Sequence, residues 1–146
     1  ELCRAQIRIK AQGRPQAVDI KTLPWPGFPT DLQAPAMVLA ALAKGTSVIT
    51  ETVFENRFMH VAELERMGAH IRITDRVALI DGVARLSGAM VSATDLRAGA
   101  ALVLAALAAD GKTMVRDDGH IARGYVDFPG KLQALGAPIS LIEEQA

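Results

Sequence analysis

A single cysteine, Cys3, excludes an internal disulfide. It fits a reducing compartment, and the strand-like run that follows it reads Cys3 as a packing residue. Aromatic side chains make up only 4% of the chain, so a core must be assembled from Ala, Leu, Val, Ile and Met. Neither sign of charge prevails, with sixteen Lys and Arg against sixteen Asp and Glu. That balance gives no basic footprint for nucleic acid and no polybasic segment for a membrane surface. An anionic ligand must therefore be held by local charges. No apolar run reaches the roughly 20 residues of a membrane span. No charged, then apolar, then small-residue leader opens the chain. The three histidines are scattered, no metal-ligand spacing appears, and no phosphate-cradling glycine loop is present. We therefore expect no metal and no cofactor. The first residue is Glu1, not methionine, and we expect a piece of a longer protein or a processed product.

What is present is one pattern written twice. Asp31-Leu32 recurs as Asp95-Leu96, 64 residues on. LAALAKG, ending at Gly45, recurs as LAALAADG, ending at Gly111. ELERMGAHI, ending at Ile71, recurs as KLQALGAPI, ending at Ile139, now 68 residues on. Arg57 and Arg123 fall at corresponding places. The period is too long for a solenoid, so we read duplication of a small subdomain. Residues 1–29 are then the end of a preceding unit, 30–92 a first full unit and 93–146 a second.

Each copy predicts the same elements. An apolar helix comes first, over 31–44 and 96–110, closed by Gly45 and Gly111. A short β run follows at 46–50 and at 113–115. A loop with a charged cluster leads to an amphipathic helix with Val61, Leu64 and Met67 on one face and Gly68 at its end. Strands follow at 70–74 and 77–81, joined through Asp75-Arg76, and the second copy closes on a strand at 138–142. Upstream, 6–10 and 17–23 alternate like a hairpin joined at Gly13. Trp25, between Pro24 and Pro26, anchors the turn into the first helix. A helix apolar on all sides must be buried on all sides. The expected fold is therefore α/β, with the two apolar helices inside and sheets and amphipathic helices outside.

Asp31 and Asp95 open the two buried helices. Each is an N-cap or a carboxylate facing a ligand at the positive helix end, and the two roles are compatible. The stretch Glu51 to His60, ETVFENRFMH, is a solvated loop or a site. Phe54, Phe58 and Met59 are interleaved in it, so part of it is expected to be buried. Arg57 has Arg123 as its counterpart in the second copy, beside Gly124. Arg97 sits just inside the second helix, and the fork of arginine suits bidentate contact with phosphate or carboxylate. His120 is a structural hydrogen-bonder or a further member of this set.

PGFPTDLQAP, TETVFENRFMHVAELERMGA, LSGAMVSATDLRAGAALVLAALAADGKT and HIARGY together resemble the UDP-N-acetylglucosamine 1-carboxyvinyltransferases, a family of enolpyruvyl transferases. The resemblance runs from about Ala17 to the end. It implies an inside-out α/β barrel of repeated βαβαββ units, three per domain, around buried parallel helices. This chain would be about two units of the C-terminal domain of a two-domain enzyme. The implied reaction moves the enolpyruvyl group of phosphoenolpyruvate onto the 3′-hydroxyl of UDP-N-acetylglucosamine. That is the first committed step of peptidoglycan synthesis, in the cytoplasm.

By position, Asp31 resembles the sugar-binding aspartate and base. Val53 resembles a residue whose backbone touches the nucleotide sugar, with Phe54 beside it. Arg57, Arg97 and Arg123 resemble arginines of the cleft, and Asp95 an acid at the second helix start. The family's Lys-Asn pair and loop cysteine belong to the other domain and have no counterpart here. The sequence also departs around Tyr125, where Ala122 and Phe128-Pro129-Gly130 interrupt the expected helix entry. The chain alone is expected to be inactive and, with helix faces uncovered, to self-associate. The other readings are a non-catalytic nucleotide-sugar-binding module and an enolpyruvylshikimate phosphate synthase homologue.

Overall fold

A computed structural model describes residues 9–142. The first part of the chain is β1 (Asp19–Lys21), α1 (Gln33–Ala41), β2 (Thr46–Thr50), α2 (Val61–Arg66), β3 (His70–Thr74) and β4 (Val77–Asp81). These form a four-stranded sheet in the order β1-β2-β4-β3. β1 runs parallel to β2, and β4 is antiparallel to both of its neighbours. Period-two alternation sets the faces of this sheet. Ser47 and Ile49 of β2 and Ala78 and Ile80 of β4 are buried, and α1 packs on these two strands.

The second part runs β5 (Leu86–Ser87), β6 (Met90–Ser92), α3 (Leu96–Ala108), β7 (Ala109–Asp110), β8 (Met114–Arg116), α4 (His120–Gly124) and α5 (Phe128–Ala134). β5 pairs with β7 and β6 with β8, both in parallel. Strand, helix and parallel strand thus recur in β6-α3-β8 as in β1-α1-β2. α1 packs against α3, and one apolar core joins the two parts through Met37, Leu64, Met67, Leu86, Ala101 and Leu102.

The predicted strands at 46–50, 70–74 and 77–81 coincide with β2, β3 and β4. Several expectations need correction. The expected hairpin of 6–10 with 17–23 falls partly outside the described residues; within them, 19–21 form β1, which pairs in parallel with β2. Residues 1–8, Cys3 among them, lie outside the described residues. α1 ends at Ala41 instead of Lys44. Leu42 and Ala43 donate three residues back, to Leu39 and Ala40, which tightens the end, and the Lys44 N–H is taken by the Pro15 carbonyl.

Gly68 and Gly136 both have φ 89° and end α2 and α5 alike, with Ala69 and Ala137 donating to the Leu64 and Leu132 carbonyls at 3.0 Å. Beyond Gly136, however, residues 137–142 form no strand. Residues 120–124, expected within the charged loop of the second copy, form the short helix α4, and the second amphipathic helix is α5, which starts where Asp127 adopts φ 48° and accepts from Gly130 N. Trp25 does not anchor its turn. It is 93% exposed, and the turn is held by backbone bonds from Leu23 to Phe28 and from Gly27 to Pro24.

Nor are the apolar helices buried on all sides. α3 buries Ala98 to Val103 and Ala105, but Leu104 and Leu107 are exposed. On the α1 side, Leu32 and Leu39 are exposed beside a cleft of about 450 Å³ that Val18, Ile20, Phe28 and Pro35 also line.

Candidate active site

The two Asp-Leu starts do different things, and one backbone atom accounts for it. In the second copy Gly99 donates its N–H to the Asp95 carbonyl at 2.8 Å, closing an α-turn. Asp95 stays outside that turn in an extended conformation, and its Oδ1 caps Arg97 N at 2.7 Å and Ala98 N at 3.0 Å. The first copy has Pro35 where the second has Gly99. Proline has no N–H to give to the Asp31 carbonyl. The chain tightens instead into a 3₁₀ turn over Thr30–Leu32, with Pro29 before it and no side-chain cap. Asp31 is therefore inside the turn, and its carboxylate points to other partners.

Those partners are arginines from two parts of the chain. Arg97 Nε lies 2.5 Å and Arg57 Nη2 lies 3.7 Å from Asp31 Oδ1. The Asp31 side chain is 62% exposed, whereas that of Arg57 is only 14% exposed. Because Arg97 stands in the first turn of α3, this contact sets the starts of α1 and α3 side by side. Two positive helix ends and two guanidinium groups thus converge on one half-open carboxylate.

Arg57 is aimed by three contacts. Its guanidinium sits 4.4 Å over the Phe54 ring, its Nε donates to Thr30 Oγ1 at 3.3 Å, and its Nη2 pairs with Asp31. The last distance is too long for a hydrogen bond, so Nη2 is buried with its donor capacity unspent. Gln33 Nε2 and Oε1, His60 Nε2 and Thr94 Oγ1 are likewise buried without a hydrogen-bond partner.

Beneath this lies Glu51, which is buried. Its Oε1 accepts from Thr22 Oγ1 at 2.8 Å, Val53 N at 2.8 Å and Phe54 N at 3.1 Å, and its Oε2 accepts from Thr30 Oγ1 at 2.9 Å. Burial by itself would raise the Glu51 pKa. These four donors overcome burial and hold it below the ordinary value. The loop of 51–60 thus inverts the expected pattern. Its polar ends, Glu51 and His60, are buried, while Phe54 and Met59 are exposed and only Phe58 packs on the core.

A family model described as EPSP synthase (3-phosphoshikimate 1-carboxyvinyltransferase) matches residues 4–132. The chain belongs to the EPSP synthase family.

Curated relatives within reach of this family member are named UDP-N-acetylglucosamine 1-carboxyvinyltransferase. One from Caldanaerobacter subterraneus subsp. tengcongensis is 63% identical over 91% of this chain and 32% of its own length. One from Staphylococcus aureus is 59% identical over 94% of this chain and 33% of its own length. The chain therefore spans about a third of the curated relatives it matches. Among solved structures, the enolpyruvyl transferase NikO from Streptomyces tendae superposes with a TM-score of 0.77 at 38% identity, over 86% of this chain and 29% of that one. An EPSP synthase from Acinetobacter baumannii, 20% identical, shares the fold with a TM-score of 0.56, over 75% of this chain and 25% of that one.

The remaining predicted residues of this EPSP synthase family chain divide. Val53 is exposed, and its N–H donates to Glu51 Oε1 at 2.8 Å. α4 lies across the first turn of α3, with Ile121 pressed on Gly99 and Leu96 on Gly124. Within α4, Arg123 donates from Nε to the Gly119 carbonyl at 3.2 Å, and its Nη2 lies 2.6 Å from His120 Nδ1. Arg123 and His120 are thus joined to each other, whereas Asp31, Arg57 and Arg97 form the ion-paired cluster. From sequence, Thr30 carried no role of its own and Glu51 entered only as the first residue of the loop of 51–60. Nothing in their spacing, 21 residues apart, signals that they bond.

Proposed function

We propose that this chain is part of an enolpyruvyl transferase that moves the enolpyruvyl group of phosphoenolpyruvate to the 3′-hydroxyl of UDP-N-acetylglucosamine. The observation that carries the reading is the half-open Asp31 carboxylate, released from capping by Pro35 and flanked by Arg57 and Arg97. The identities of 59–63% to enzymes of that name support it. The shikimate-pathway reading has weaker support, since the EPSP synthase structures are only 20–22% identical.

The chemistry asks for such a set. The sugar oxygen bonds to C2 of the enol while its proton passes to a base, and a proton is added at C3. The resulting intermediate carries both phosphate and carboxylate. The C2–O bond to phosphate then breaks, a proton leaves C3, and the vinyl ether remains. In this reading Asp31 accepts the hydroxyl proton, the Val53 carbonyl and Phe54 border the nucleotide sugar, and Arg57, Arg97 and Arg123 hold the anionic groups with the helix starts. Asp95 fixes the first turn of α3 and so the aim of Arg97. His120 orients Arg123.

The wider architecture in this reading is the inside-out barrel of repeated βαβαββ units, with β1 to β4 as one unit and β5 onward as the opening of the next. A second domain supplies the Lys-Asn pair and the loop cysteine, and the enzyme works in the cytoplasm in cell-wall synthesis.

The test is Asp31→Asn in the full-length protein that contains this chain. Phosphate release with both substrates should fall at least about 100-fold. Affinity for UDP-N-acetylglucosamine should change much less. Absence of turnover in the unaltered full-length protein, or wild-type turnover in D31N, overturns the proposal.

A further inference from the structure

Among the described residues, the Thr30 hydroxyl bonds to both Glu51 and Arg57. Its hydrogen goes to Glu51 Oε2 at 2.9 Å and its lone pair receives Arg57 Nε–H at 3.3 Å. The order of donation is therefore set from below. A buried carboxylate can only accept, so it turns the Thr30 hydroxyl and leaves its oxygen facing the guanidinium. Glu51 cannot swing away, because Thr22 Oγ1 and the Val53 and Phe54 amides hold its other oxygen. The same two amides fix the loop that carries Phe54 under Arg57. Arg57 is thus gripped at Nε and over its face, while its buried Nη2 keeps a donor without a hydrogen-bond partner beside Asp31.

We infer that Glu51 and Thr30 are a positioning relay, a buried carboxylate acting through one hydroxyl to aim the Arg57 guanidinium at the Asp31 site. The inference rests on the reading of Asp31 and Arg57 as parts of an enolpyruvyl-transfer site. Neither relay residue touches substrate in this scheme. Their effect is on the angle at which the Arg57 Nη2 donor meets an anionic or hydroxyl group at Asp31.

Two substitutions at Thr30 separate the hydroxyl from the methyl group. Thr30→Val keeps the shape and the methyl and removes the relay. Thr30→Ser keeps the relay and removes the methyl. In the full-length protein, T30V should lose about tenfold in kcat/KM, the scale of one hydrogen bond to a charged group. T30S should stay within about twofold of wild type and melt with it, whereas T30V, which leaves the buried Glu51 Oε2 without its donor, should melt lower yet stay folded at the assay temperature. A residue that served only packing would give the opposite order.

Glu51→Gln places an amide N–H where Thr30 needs an acceptor, since the other oxygen must still meet three donors. E51Q should therefore lose activity as T30V does, and the T30V/E51Q double variant should be no worse than the worse single one. T30V with wild-type kcat/KM, or T30S falling with it, overturns the relay. Additive losses in the double variant remove Glu51 from it. Should E51Q fail to fold, the Thr30 pair decides alone. D31N keeps the two readings apart: wild-type turnover there overturns the Asp31 assignment, whereas an inactive D31N beside an unaffected T30V overturns only the relay.

Discussion

His60 shows what burial does to a single titratable group. Removing its ring from water pushes the pKa from 6.5 to about 4, against the pull of the Asp95 charge and a hydrogen bond with the Arg57 backbone, and with the Arg57 charge adding to the fall. The unfolded chain therefore binds the proton more readily than the folded one. Stability from this group is present above pH 6.5 and is lost as pH falls toward about 4. The loss is on the order of 3 kcal/mol. Glu51 acts in the same direction at lower pH, since its folded pKa lies below the ordinary 4.5. Urea midpoints should decline from pH 6.5 to 4.5, and the His60 ring should remain neutral at pH 5 by nitrogen-detected NMR. A protonated ring at pH 5 in the folded protein contradicts this. His60 was legible in the sequence only as one polar residue of a loop. Its burial, at the N-cap of α2, is a product of packing.

At the scale of elements, the repeated Asp-Leu dipeptide separates local rules from their outcome. Asp95 is an N-cap with two amide bonds, so Asp95→Ala should cost about 1 kcal/mol of stability. Asp31 caps nothing and is 62% exposed in its ion pairs, so Asp31→Ala should cost well under half of that. Paired urea denaturation of the two variants checks the contrast, and equal losses contradict it. The helices α1, α2 and α3, the strands β2 to β4 and the glycine stop at Gly68 were legible because side-chain patterning and positive φ act within a few residues. The 3₁₀ turn at Asp31 was legible in principle, from Pro35 standing where the second copy has Gly99. The helix α4 inside the expected loop, and the missing strand after Gly136, depend on what packs around them.

Over the whole molecule, the uncovered side of α1 is the largest departure from the expected core. Leu32 and Leu39 face an apolar cleft that nothing among the described residues fills. Exposed apolar area of this kind drives association. The chain by itself should form dimers or larger species in light scattering, and Leu39→Lys, which places a charge on the open face, should shift it toward the monomer. A monomeric unaltered chain at tens of micromolar contradicts this. No helix among the described residues is long and apolar enough to cross a membrane.

By itself the sequence determined the strands β2 to β4 and the two apolar helices, and it offered Asp31, Arg57 and Arg97 as candidate site residues. The elements follow from side-chain patterning within a few residues, and the candidates from their places at helix starts and in a charged loop together with a family resemblance. Only the tertiary structure decided which side chains meet the Asp31 carboxylate that Pro35 leaves uncapped. It also decided that Arg97 of the second copy serves Asp31 of the first, and that Glu51 lies beneath both Thr30 and Arg57. Those contacts join residues 21 to 66 positions apart. Hydrogen bonds are short and directional, so their partners are chosen by how α1 and α3 pack, which no local pattern of residues encodes.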